Sequence, residues 1–366
     1  MIGLAVARRL ALEGLRVALV DRQAPGRGAS SAAAGMLAPF SESEEPGPFF
    51  RFARWSLELY PRLVRELEEE TGFGLDFSPT GSVFLALSAQ EWERLEERAG
   101  WQEKEGVPLR RLGPGEALEE LWGERAGAGE DGPEIWGGLL YPREAHLSPA
   151  RLLSSLAISC LRRGVDFLLG QEVAGGESEG ERLAAIRLSN GERVPASVFV
   201  LSAGAWLGVL ADRLGVRLPV RPVRGQILSV RTEGGGSRRI LFTGWGYLLS
   251  KPEGEVWVGA TEDESGFSPE VNLFGLAYLA PFALRLAPHL LRAPLARAWA
   301  GLRPATPDLL PLLGLVPGFQ NVFAAGGHHR NGILLAPATA EAMAAMVADK
   351  EVPEEVAPFS SQRFGG

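Results

Sequence analysis

Two arginines lie in segments rich in residues that bend the backbone, and a guanidinium so placed suits recognition of a small acid. Arg303 lies in Trp299-Ala300-Gly301-Leu302-Arg303-Pro304-Ala305-Thr306-Pro307-Asp308, and Arg330 in Gly327-His328-His329-Arg330-Asn331-Gly332-Ile333-Leu334. Glycine and proline at these spacings predict that both arginines ride on tight turns, the second running into a helix that begins near Asn331. The guanidinium is planar and permanently charged, and its donors form a fork that fits a carboxylate. One such arginine alone would usually be a solvated surface charge. Recognition of a small acid is the other reading open to both. His328 and His329 adjoin Arg330, whereas His146 and His289 belong to other segments, and no Cys or carboxylate cluster completes a set of ligands, so no metal is expected.

The elements that must position these residues begin with a nucleotide-binding signature. Ile2 to Gly14 has the apolar spacing of a helix closed by glycine, and Leu15 to Asp21 reads as a buried strand ending in an acid. A helix, a short turn and a strand ending in Asp make the second half of a dinucleotide-binding βαβ unit, whose acid takes the ribose hydroxyls. Spacing makes Gly3 the third glycine of G-x-G-x-x-G, and Ile2, Gly3, Asp21 and Arg22 become cofactor-binding candidates. The strand and first two glycines of the motif do not precede Ile2. The expectation is a true start about a dozen residues upstream, without which cofactor affinity would be poor. The alternative is a different fold that begins with a helix. Residues 26–39 are mostly small, and small side chains let backbone approach a flat ring and a diphosphate closely.

Farther on, helices are expected over 47–72, 89–104, 114–121 and from Ser148-Pro149 to Gly164, and strands over 84–87, 137–142 and 165–167. Residues 193–206 read as one strand turning into a helix at Gly204. Strands at 239–243, 246–250 and 255–260 form an antiparallel sheet, with a loop over 123–133 and a hairpin-like turn at Gly234-Gly235-Gly236. The order predicts an α/β fold with interleaved domains. A Rossmann-like cofactor domain takes residues 1–48, 146–217 and 295–366, and an α+β antiparallel-sheet substrate domain takes 49–145 and 218–294.

The chain has 366 residues, enough for two joined domains, with 46% hydrophobic and 22% charged residues. Thirty-seven basic against 45 acidic side chains give a net charge of −8, which argues against a nucleic-acid or anionic-membrane partner. Cys160 is the single cysteine, so no internal disulfide forms, and a reducing cytoplasm is expected. No apolar run approaches the roughly 18–20 residues that span a bilayer.

Trp299 to Pro304, His328 to Leu334 and the Ala29-to-Met36 segment together resemble the flavin-dependent amine oxidases of the D-amino acid oxidase type, within them most closely the glycine oxidases. The resemblance runs from about residue 1 to about residue 350. It implies a glutathione-reductase-type FAD domain and FAD held by Ala29, Ser30, Ala34, Gly35, Met36, Val173 beside adenine, Gly204, and His328, His329, Arg330, Asn331, Gly332, Ile333 and Leu334 around the flavin ring. It puts the substrate carboxylate on Arg303 and sets Tyr247 and Arg330 beside it. Arg330 could instead form a structural ion pair, and Tyr247 could be an ordinary strand aromatic. After Tyr247 the family usually has Pro-Arg, where this chain has Ser250-Lys251. The implied reaction is oxidative deamination of glycine or a similarly small amino acid such as sarcosine or D-alanine, with oxygen as acceptor. The family's use in thiamine thiazole synthesis and its common tetramer come with the resemblance. The other readings are a D-amino acid or sarcosine dehydrogenase passing electrons to a quinone or carrier, and a non-catalytic flavin-binding protein.

Overall fold

A computed structural model describes residues 1–122, 133–232 and 237–364. Most of the loop expected over 123–133, and the Gly234–Gly236 turn, lie outside those residues. The first helix, Ile2–Leu12, buries Leu4, Ala5, Val6 and Leu10 and ends at Gly14, whose φ of +82° is left-handed backbone that glycine adopts without strain. It packs on the helices Ala336–Val347 and Pro149–Arg162. Ser148 caps the latter by accepting from Arg151 N. The strand expected as buried over Leu15 to Asp21 forms over Ala18–Asp21 only, with Ala18 and Asp21 exposed and Leu19 and Val20 partly so, and pairs in parallel with Asp166–Leu169. A second sheet orders Phe199–Leu201, Val322–Gly326 and Leu312–Leu315, the first pair parallel. Ile2–Leu12 touches both Ala18–Asp21 and Val322–Gly326, and so ties the two sheets together.

The single strand expected over 193–206 is two. Arg193–Pro195 completes a small antiparallel sheet with Val173–Glu179 and Arg182–Leu188, and Phe199–Leu201 belongs to the parallel sheet. Pro195 lacks the N–H that a continuing ladder needs, so the strand breaks after it.

The largest sheet has eight strands, in the order 295–305, 221–231, 255–259, 246–251, 240–243, 82–86, 137–141 and 110–112. All neighbours are antiparallel except Ile240–Thr243 with Ser82–Ala86. Alternation along each strand sorts the side chains onto two faces. Leu241, Leu248 and Val258 pack under the helix Leu273–Leu286 with Leu279, Phe282 and Leu286. Ile240, Phe242, Tyr247 and Leu249 take the other face, against Ala34 and Ala38 of the small-residue segment.

One expectation changes here. Leu295–Ala305, assigned to the cofactor domain with Arg303 on a turn, is the outer strand of this sheet, in register from Arg221↔Ala305 to Ile227↔Trp299. Its glycine and proline sit opposite their own kind, Gly301 with Gly225 and Pro304 with Pro222. Two facing prolines suit a pair that exchanges no hydrogen bonds, so the ladder tolerates them.

Candidate active site

A single cavity of about 1380 Å³ takes in the strand-end acid, the small-residue segment and both arginines. Ile2, Gly3, Asp21, Arg22, Ala29, Ser30, Ala34, Gly35, Met36, Val173, Gly204, Tyr247, Arg303 and every residue from His328 to Ile333 line it. Leu334 does not. Its side chain is buried in the core, and its carbonyl accepts from Ser56 Oγ at 2.7 Å.

At Asp21 one carboxylate oxygen accepts from Gln23 N at 2.9 Å, the only hydrogen bond this side chain makes among the described residues. Arg22 stacks over the Trp206 ring at 4.3 Å. A Cβ on Gly3 would come within 2.6 Å of Ser202 Oγ, so the helix start lies tight against the turn after Phe199–Leu201. These cradles suit a dinucleotide: an acid for diols, a helix N-terminus, and backbone left bare by missing side chains.

The small-residue segment is held from three sides. Trp299 Nε1 donates to Ala32 O at 3.0 Å, Lys251 Nζ donates to Ala34 O at 2.8 Å, and Leu147 N donates to Gly35 O at 3.0 Å. Lys251 also lies 4.6 Å over the Trp257 ring, and burial pulls its amine down to about 8. The departure at Ser250-Lys251 therefore braces the segment from the sheet. Sequence reading noted the change but not this contact.

The two arginine segments do come together. Ala305 bridges His328, and His329 N donates to Pro304 O at 2.8 Å. Arg303 Nη1 donates to Thr261 O at 2.9 Å and Arg224 O at 3.4 Å, and among the described residues no carboxylate pairs with this guanidinium. Burial, with Arg330 nearby, disfavours its charge. Arg330 is different. Its Nε and Nη2 bind both oxygens of Glu42 at 2.8 and 3.0 Å, so it is a committed ion pair on the cavity wall. Glu42 is held in turn by its short helix, Pro39–Glu42, whose Phe40 N and Ser41 N donate to buried Glu144 at 2.6 and 2.8 Å. Tyr247 is buried opposite Gly259, edge-on to Phe242, and burial raises its phenol well above the usual range. Glu262, 3.4 Å from His329 Nε2, is held down to about 2, chiefly by that histidine, with Arg303 and Arg330 adding to the effect. Glu42, Thr261 and Glu262 were not singled out as site residues from the sequence.

The regular helix after Arg330 starts at Ala336 rather than near Asn331, preceded by one helical turn with Leu335 N on Asn331 O at 2.9 Å. Pro337 belongs in the first turn of a helix and sets the later start, while Gly332 resists helical ordering. His328 Nε2 meets Thr339 Oγ1 at 2.9 Å, and burial pushes this imidazole down to about 3. His146 is likewise pushed down to about 4. A histidine depressed in the folded state stabilises fully above its unfolded pKa near 6.5 and loses that contribution as pH falls, about 1.4 kcal/mol per unit. Thermal melts of His328→Gln between pH 7 and 5 should therefore show a clearly shallower loss of Tm than wild type. An identical slope would mean that His328 does not titrate in this way.

Among the described residues no group of three or more His, Cys, Asp or Glu is placed to hold a metal, and no helix is long and apolar enough to cross a membrane. The site can bind a dinucleotide and, beside it, present an uncompensated guanidinium to a small anion.

Comparison with known proteins agrees. The family described as FAD dependent oxidoreductase matches residues 1–346. The chain is 33% identical over 362 residues to a glycine oxidase of Pseudomonas aeruginosa, covering 98% of this chain and 96% of that one. It is 32% identical to the bifunctional protein ThiO/ThiG of Trichormus variabilis, covering all of this chain and 54% of that protein. The crystal structure of glycine oxidase from Geobacillus kaustophilus superposes with a TM-score of 0.92 at 32% identity, covering 100% of this chain and 96% of that one. With the dinucleotide cradle and the matched length taken together, the chain belongs to the FAD dependent oxidoreductase family, as an amino acid oxidase that uses FAD.

Proposed function

We propose that the enzyme oxidises glycine, or a similarly small amine such as sarcosine or D-alanine. With glycine, one water and one oxygen molecule are consumed, and glyoxylate, ammonia and hydrogen peroxide are released. The observation that carries this is Arg303, a partly buried guanidinium in the cavity whose only described partners are two carbonyls. An unpaired charge away from water is costly, and a substrate carboxylate would compensate it. The glycine oxidases among the relatives support the same substrate.

FAD, when bound, supplies the acceptor for the hydride that leaves the substrate α-carbon. Ile2, Gly3, Asp21, Arg22 and Val173 would hold its nucleotide end, with Ala29, Ser30, Ala34, Gly35, Met36, Gly204 and His328 to Ile333 toward the ring. Arg303 holds the carboxylate and so fixes which way the α-carbon faces. Orientation of this kind is worth many kcal/mol of barrier. Tyr247 frames the amine side as a neutral phenol, and the Arg330–Glu42 pair closes the wall. No side chain is needed as a strong base if the amine binds neutral.

The proposal extends to oxygen as acceptor, a cytoplasmic homotetramer, and supply of glycine imine for thiamine thiazole synthesis. The joined ThiO/ThiG relative supports the last. In air, turnover of glycine should give peroxide and glyoxylate in equal amounts. Reduction of a quinone without peroxide would make the enzyme a dehydrogenase, and neither product would make the protein non-catalytic.

A further inference from the structure

We propose that Gly225 and Gly301 form a two-glycine notch that sets where the substrate carboxylate sits relative to the flavin. Gly225 lets the Arg303 guanidinium lie flat on the sheet, and Gly301 lets the flavin-side helix Ala29–Ala32 settle beside it. The inference rests on the reading of Arg303 as the carboxylate holder.

Gly225 and Gly301 face each other across the ladder, and Arg303 faces Val223 two pairs along, on the same face. The Arg303 side chain leans diagonally across to the neighbouring strand, a reach that long side chains have. A Cβ built on Gly225 would overlap Cζ, Nη1 and Nη2 of Arg303 at nearly equal distances. Equal approach to three atoms of a planar group means that its face, not its edge, lies on Gly225. Lying flat, the guanidinium spends Nη1 on Thr261 O and Arg224 O and keeps Nε and Nη2 for a ligand.

At Gly301 a Cβ would fall 2.6 Å from Ala32 Cβ and 3.6 Å from Ala29 Cα. The small-residue helix therefore rests directly on the strand that carries Arg303, two residues or about 7 Å along it. One pair of missing side chains thus seats both the anion-binding group and the cofactor segment on a single rigid surface.

Neither glycine has positive φ, so alanine strains no backbone at either position. What must yield differs. At Gly225 it is the far end of a flexible side chain, and the guanidinium swings away while the fold stays. At Gly301 it is a helix that carries the cofactor segment.

The test uses holoenzyme and glycolate, a carboxylate lacking the amine, titrated against the visible flavin spectrum. Gly225→Ala is expected to weaken glycolate binding at least tenfold and to raise the glycine KM by more than any fall in kcat, with FAD content and Tm as in wild type. Adding Gly225→Ala to Arg303→Ala should change glycolate affinity no further, because the group it displaces is gone. Wild-type glycolate affinity in Gly225→Ala alone, or a second tenfold loss in the double variant, overturns the notch. If Gly225→Ala fails to fold, recovery of folding in the double variant supports the clash with Arg303, and continued misfolding overturns it. Arg303→Ala with wild-type affinity would instead overturn the carboxylate reading, and the notch with it.

Discussion

Arg303→Ala is expected to raise the glycine KM about a hundredfold or more, because a hydrogen bond between charged groups contributes roughly 1.5–3 kcal/mol and the fork supplies two. The rest of the site should survive the change. Among the described residues Nη1 holds only the carbonyls of Thr261 and Arg224, and Arg330 keeps its own partner in Glu42. FAD content should therefore remain near wild type, which separates a lost substrate contact from a collapsed pocket. Arg303→Lys should fall between the two, since an ammonium retains the charge but not the planar fork. Steady-state kinetics with glycine decide the matter, and a near-normal KM in Arg303→Ala would remove this residue from the site.

Gly35→Ala should be as damaging, by another route. Gly35 has a φ of +86°, which an alanine adopts only at a cost, and its Cβ would overlap Leu147 O and lie 2.9 Å from Pro149 Cδ. Unlike the clash at Gly225, this one is with backbone and a proline ring, which cannot swing aside. Leu147 N also donates to Gly35 O, so the strap and the obstruction are the same segment. Relief requires Ala34, Gly35 and Met36 to move together away from Leu147 and Pro149, out of their place on the cavity wall. The substitution should cost about 2 kcal/mol or more of stability and leave gel-filtered protein with well under half its FAD. Wild-type flavin-to-protein absorbance and an unchanged Tm would show that the segment does not need its glycine.

The sequence made some of this legible because local chemistry decided it. Asp21 at a strand end, Ser148 before Pro149, and Gly14 as a left-handed stop each act over a few residues, and the helices Ile2–Leu12 and Pro149–Arg162 lie where expected. The Ala29-to-Met36 segment was legible for the same reason, since close backbone approach needs small side chains wherever the chain goes next.

Other features depend on partners far away in the chain. Arg303 reads as a turn residue until Gly225 and Pro222 are seen opposite Gly301 and Pro304, because the neighbouring strand decides whether such residues fit a ladder. The Glu42–Arg330 pair spans 288 residues, and Glu42 stands among other acids with nothing to single it out. Leu334 shares its neighbours' wording but turns into the core. In the small sheet over 173–195 only the strand from Arg193 was expected, although Gly180 and Asn190-Gly191, residues that favour tight hairpin turns, stand between its strands.

The most direct test of the central claim is anaerobic addition of glycine to the purified yellow holoenzyme and, in parallel, to Arg303→Ala. Wild type should lose its visible flavin band within the mixing experiment, with the variant needing far more glycine for the same bleaching. A wild-type spectrum that glycine, sarcosine and D-alanine all leave untouched would contradict the account.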